Sequence, residues 1–136
     1  MRKYFYFRTE ADEDDDDDIA RSAMFPVDSL LGMHPTGNTA LTLCFTPQLR
    51  IAGGVTDGSD FTNADTVILN ISSNQAKEVM TAIARAANAS GTAYSDGVIV
   101  VADDATTDYD GSTKAAIVLD GNITSCGAIA IAAVYA

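Results

Sequence analysis

A single histidine, two cysteines and a set of clustered acids are the side chains of this 136-residue chain with the means to do chemistry. His34 has the right group for general acid–base work, but such work needs partners that orient the ring. It sits between Met33 and Pro35, and the chain holds neither a Gly-x-Ser-x-Gly elbow nor an HExxH pair. Cys44 and Cys126 are far apart, with no CxxC and no metal-ligand spacing, and read as buried free thiols. A disulfide between them requires that their strands be neighbours. Asp103 and Asp104 form a carboxylate pair of the kind a hydrolase uses, yet adjacent strand residues point to opposite faces. Asp108-Tyr109-Asp110-Gly111 has the look of a calcium-loop fragment. In that register Thr106 and Ile117 fall where the first ligand and the bidentate glutamate belong, and both fail. The run Asp12 to Asp18 offers oxygens to a hard cation, but a homopolymeric run fixes no ligand geometry. No GxxxxGK[ST] or GxGxxG loop is present. The expectation is no enzyme, no catalytic residue, no metal site and no cofactor. A small cation- or ligand-binding module built on the Asp-rich loops is the alternative.

The elements that would carry these residues are mostly strands. Lys3 to Thr9 alternates, with Tyr4 and Tyr6 on one face and Phe5 and Phe7 on the other, so neither face is fully wet. Ser22 to Leu31 is extended, with Pro26 arguing for an edge or a break. Gly32 to Asn38 carries turn chemistry, and the spacing predicts a hairpin from the extended segment into Thr39 to Thr46. There Leu41, Leu43 and Phe45 share one face. Residues 50 to 64 read as a surface loop or an irregular hairpin, and Asp65 to Ile71 as a strand with Val67, Leu69 and Ile71 aligned.

One amphipathic helix is predicted at about residues 74 to 89. Ser72 and Gln75 match a capping box, Gly91 supplies the stop, and Ala76, Val79, Met80, Ile83, Ala86 and Ala87 form an apolar stripe. Val98 to Val101 is an unbroken apolar run suited to a strand covered on both faces. A short strand in Ala115 to Leu119, a tight turn at Asp120-Gly121-Asn122 and a final strand from Ile123 to Tyr135 complete the pattern. The fold class is therefore α+β. We expect a single compact domain over residues 1–136, with a mixed or antiparallel sheet of about five to seven strands and the helix on one face. Residues 65 to 101 suit a right-handed βαβ unit.

Composition narrows the function classes. Apolar residues make up 47%, which argues against wholesale disorder. The net charge of −11 is concentrated: Glu10, Asp12, Glu13 and Asp14 to Asp18 form an acidic loop at about residues 10–21. Nucleic-acid binding needs clustered Lys and Arg and is not expected. Arg2, Lys3, Arg8 and Arg21 flank the acidic run and either pair with it, screen it or stand as solvated loop charge. The apolar stretch after Arg2 and Lys3 is too short for a secretory signal, and no run reaches the ~18 residues of a membrane span. The last strand is apolar to the final residue, so it must be a central strand or pair with another subunit.

Five short blocks carry a resemblance. Lys3-Tyr4-Phe5-Tyr6-Phe7-Arg8-Thr9, Gly32-Met33-His34-Pro35-Thr36, Asp65-Thr66-Val67-Ile68-Leu69-Asn70, Val100-Val101-Ala102-Asp103-Asp104 and Thr124-Ser125-Cys126-Gly127-Ala128-Ile129 resemble segments of small proteins encoded by marine tailed phages, such as those of cyanobacteria. The resemblance implies a virion component, such as a capsid decoration protein, assembled in the host cytoplasm and docked on a major capsid or other virion protein. By the same analogy it implies a homo-oligomer, with a trimer favoured. The expected function is thus a non-enzymatic structural protein that self-assembles. Its expected contact residues are Tyr4, Phe5, Tyr6, Phe7, His34, Ile129, Ile131, Val134 and Tyr135.

Overall fold

A computed structural model describes residues 3–13, 21–47, 64–89 and 96–131. Among the described residues, eight strands and one α-helix follow in chain order: β1 (Tyr4–Arg8), β2 (Ser22–Pro26), β3 (Leu30–Gly37), β4 (Ala40–Phe45), β5 (Asp65–Ile71), α1 (Ala76–Asn88), β6 (Val98–Asp103), β7 (Ile117–Val118) and β8 (Ile123–Ala130). The fold is α+β, but the strands divide between two sheets of four instead of forming one. The first has the order β2-β1-β6-β7 and the second β3-β4-β5-β8. The second sheet is antiparallel throughout. The first is mixed, because β1 runs parallel to β6.

Alternation accounts for the core. Phe5 and Phe7 of β1, Phe25 of β2, Leu41, Leu43 and Phe45 of β4, and Val67 and Leu69 of β5 are all fully buried. Phe45 joins the sheets. Its ring stacks on Phe25 at 4.1 Å between centroids and meets Phe5 and Phe7 edge-on at 6.2 and 6.0 Å. Aromatic pairs at these separations contribute beyond the area they bury. The unbroken run of β6 is covered as its composition demands: Ile99, Val101 and Ala102 are buried, and Val98 and Val100 half-buried. Helix α1 adds Val79, Ile83 and Ala86 to the same core.

Four local expectations are corrected. The βαβ unit does not form, because β5 and β6 lie in different sheets and α1 links one sheet to the other. Ser72 does not cap α1. Asn74 takes a left-handed conformation (φ 62°), its N–H donates to the Asn38 carbonyl at 2.9 Å, and the helix starts after Gln75 without a side-chain cap. Asparagine visits this region more readily than most residues, and the tie to the β3–β4 turn sets the position. Gly32 to Gly37 is not a turn but the body of β3, a sheet edge, where Pro35 is tolerated. The hairpin closes after it, and Val27–Ser29 form a single 3-10 turn between β2 and β3. Finally, β8 is not central. It pairs only with β5 among the described residues and ends at Ala130, while Val134 and Tyr135 lie outside those residues.

At its other end α1 is finished by a lysine. Lys3 Nζ donates to the carbonyls of Ala87, at 3.1 Å, and Ala89. A cation at a helix C-terminus satisfies orphan carbonyls and complements the helix dipole. The expected stop at Gly91 lies outside the described residues.

Candidate functional site

The residues with chemical potential collect where β1 and β6 end. The two strands run parallel, with Arg8 opposite Asp103. Arg8 Nε lies 3.1 Å from Asp103 Oδ1, and both residues are buried. The Arg8 guanidinium also lies 3.5 Å from Glu13 Oε2 and 5.5 Å above the Tyr6 ring. Glu13 in turn is 3.4 Å from Lys114 Nζ. Two carboxylates and two cations thus interlock. A buried charge of either sign is costly unless paired, so Arg8 is a structural ion and not solvated loop charge. The Arg8–Glu13 contact is one the flanking of the acidic run allows for, whereas the Arg8–Asp103 pair joins residues far apart in sequence, and its sequence sign is an arginine closing an aromatic strand.

The cluster anchors the start of the acidic run. Thr106 and Thr107 donate their N–H groups to the Ala11 carbonyl at 2.7 and 3.0 Å, and Glu13 N–H donates to the Thr107 carbonyl at 3.0 Å. Arg21 pairs with Glu10 at 3.6 Å at the far end. The Asp14 to Asp18 portion lies outside the described residues.

Asp103 and Asp104 do take different directions. Asp103 faces Arg8 and accepts the Ala105 N–H at 3.1 Å. Asp104 reaches the second sheet, where both carboxylate oxygens accept the Cys126 N–H at 3.0 Å. Burial pushes the Asp104 carboxyl above the ordinary aspartate range. The Cys126 N–H opposes that shift, and the neighbouring Asp103 charge adds to it. Burial, reinforced by the Asp104 charge, pushes the Cys126 thiol up to about 12. A thiol held that far from ionisation is a poor nucleophile. Cys44 is half-buried and also free, and β5 separates its strand from β8.

Asp108 is spent on its own turn. Its Oδ1 accepts from the N–H groups of Asp110 and Ser112, each at 3.0 Å, and Gly111 supplies the positive φ of 80° that the turn needs. Among the described residues no three His, Cys, Asp or Glu side chains converge as metal ligands. His34 is exposed on edge strand β3, remote in sequence from these acids. Among the described residues an open groove of about 400 Å³ lies between the β3–β4 turn and the start of α1, lined by Pro35, Gly37, Asn38, Asn74, Ala76 and Lys77.

The expected contact residues separate by burial. Phe5 and Phe7 are fully buried in the chain's own core and Ile129 nearly so, which removes them as partner contacts. Tyr4, Tyr6 and Ile131 are half-buried, and His34 is exposed. Sequence reading missed Leu31, which is 65% exposed on β3; on the small-residue face of the last strand, which alternation does mark, Ala128 and Ala130 are exposed. No helix among the described residues is long and apolar enough to cross a membrane. Comparison of the chain with protein-family models, curated proteins and solved structures gives no match in any of the three.

Proposed function

We propose that the protein is a non-enzymatic structural protein that associates with copies of itself and docks on a larger assembly. The observation that carries this reading is the second sheet. Its two outer strands expose apolar residues, Leu31 on β3 and Ala128 and Ala130 on β8. Exposed strand edges are templates for further strands. Two different edges on one sheet suit head-to-tail contacts, which close into rings when the rotation permits. A trimer is such a ring. The internal use of Asp103, Asp104 and Asp108 also supports the reading, since each is already engaged by the chain itself. The phage virion as the larger assembly rests on the resemblance of the five sequence blocks.

Sedimentation equilibrium over a wide range of concentrations tests self-association. The expected mass is three times the 14.2 kDa chain. Leu31→Glu or Ala130→Glu, each at an exposed position, should shift the population toward monomer while leaving the unfolding midpoint nearly unchanged. A wild-type protein that stays monomeric at all concentrations removes the proposal.

A further inference from the structure

We infer that copies of this chain meet in a bulge-on-bulge joint, in which Leu31 of one copy seats on the 127–130 end of β8 of the next. The inference rests on the self-association reading and names the surfaces it uses. Both outer strands of the second sheet are bulged, and the two bulges are opposites. On β3 the pairing passes from Leu30 opposite Phe45 to Gly32 opposite Cys44, so Leu31 has no partner on β4. A bulge re-aims the side chain it carries, and Leu31 is 65% exposed. Beside it the strand stays open, since a Cβ on Gly32 would meet nothing within 4 Å. On β8 the pairing passes from Ala128 opposite Ile68 to Cys126 opposite Leu69, so the residue left over is Gly127. Gly127, Ala128 and Ala130 are all exposed and all small. One edge carries a protruding leucine, and the other a low apolar stretch beside half-buried Ile68.

Charge selects a second copy as the occupant. Each chain carries a net charge of −11. The described acids of the loop after β1 are held beside the first sheet, Glu13 by Arg8 and Glu10 by Arg21. The four strands of the second sheet hold one charged residue, Asp65, and it is fully buried. Two such chains therefore meet at these edges without setting acid against acid, and a basic partner finds no acid there to bind. The leucine and its seat are both present on this chain, so a copy supplies each half of the joint.

Strand direction agrees. The second sheet alternates throughout, so β3 and β8 run in opposite directions. The next copy's β3, laid beside β8 in the same orientation, continues the antiparallel order. The Cys126 end of β8 is closed to it, because the Cys126 N–H already donates to Asp104 at 3.0 Å. Addition is confined to the stretch past the bulge. Because the two joined surfaces differ, the contact is head-to-tail and closes into a ring when the rotation permits.

The test is a charge exchange read by sedimentation equilibrium at low salt. Leu31→Lys alone and Ala130→Glu alone should each weaken association by about tenfold or more, because each puts an unpaired charge into an apolar contact. Leu31→Lys makes the chain less negative, so its effect cannot come from general repulsion. The double variant should recover most of the loss, since every joint then sets a cation against an acid. Salt at about 1 M, where screening acts over about 3 Å, should remove the recovery. An equal mixture of the two single variants should likewise associate more strongly than either alone, which keeps the test decisive if the double variant does not fold. Single variants that associate like the wild type, or a double variant and mixture no better than the singles, overturn the joint and leave self-association standing. A wild type that stays monomeric removes both.

Discussion

Replacing Gly127 with alanine tests the bulge in β8, the feature that sets the register of the second sheet. A Cβ built on Gly127 would lie 2.9 Å from the Ile68 carbonyl oxygen and 3.1 Å from Asn70 Oδ1. The first neighbour is backbone inside a paired strand and cannot swing away. The second is held by Asn70 Nδ2 donating to Ser125 Oγ at 2.8 Å. Ordinary contact therefore requires the β5–β8 pairing to open by a few tenths of an ångström. Forcing extra atoms into a packed site costs about 1–3 kcal/mol. The stiffer unfolded chain returns about 0.4–1 kcal/mol when glycine becomes alanine. The net expectation is a loss of about 1–2 kcal/mol, or roughly 3–8 °C in the unfolding midpoint for a domain of this size. Urea unfolding at matched protein concentration gives the difference, with an unchanged m-value confirming that the folded state is the same. Gly121→Ala is the control, because nothing lies within 4 Å of its Cβ. If both variants are equally stable, Gly127 does not make the close approach and the bulge argument fails.

Two further outcomes follow from the polar groups. Arg8→Met strands Asp103 without its buried partner and should cost about 3–5 kcal/mol in urea unfolding, whereas Arg8→Met with Asp103→Leu should recover most of that loss; equal losses would show that the pair is not what holds β1 to β6. In a Cys44→Ser background, alkylation of Cys126 at pH 8 should run roughly a hundred- to a thousandfold slower in the fold than in urea, since the thiol is shifted from 9.0 to about 12. The same shift adds stability below the unfolded value of 9.0 that is lost as pH rises toward about 12. An excess loss of stability across that window, absent in Cys126→Ala, checks the sign.

What the sequence made legible was whatever depends on local period. Leu41, Leu43 and Phe45, then Val67, Leu69 and Ile71, declare their buried faces by simple alternation, and all six are buried. The stripe Val79, Ile83 and Ala86 declares the helix, and Asp120 declares its turn, accepting the Asn122 N–H at 3.1 Å. The division into two sheets was not legible, because it depends on pairings such as β1 with β6 that join opposite ends of the chain. Periodicity says which side of a strand is apolar, not which strand lies beside it. The helix start shifted for a related reason: the Asn38 carbonyl competes for Asn74 and displaces the capping box that local spacing favours.

Arg8 shows the same limit where charge is concerned. Beside a run of acids it could pair with them or stand as a solvated ion; it does pair with Glu13 at the start of that run, but its nearer partner is Asp103 across the sheet, which local spacing does not reveal. The parallel pairing makes the difference. It places the ends of β1 and β6 side by side, so an arginine closing one strand faces an aspartate closing the other. Once Asp103 is drawn to Arg8, strand alternation turns Asp104 the other way, toward Cys126. One carboxylate then neutralises a buried cation within the first sheet while its neighbour reaches across to the second. Two adjacent acids that looked in the sequence like a catalytic pair are separated by the geometry into two structural bonds.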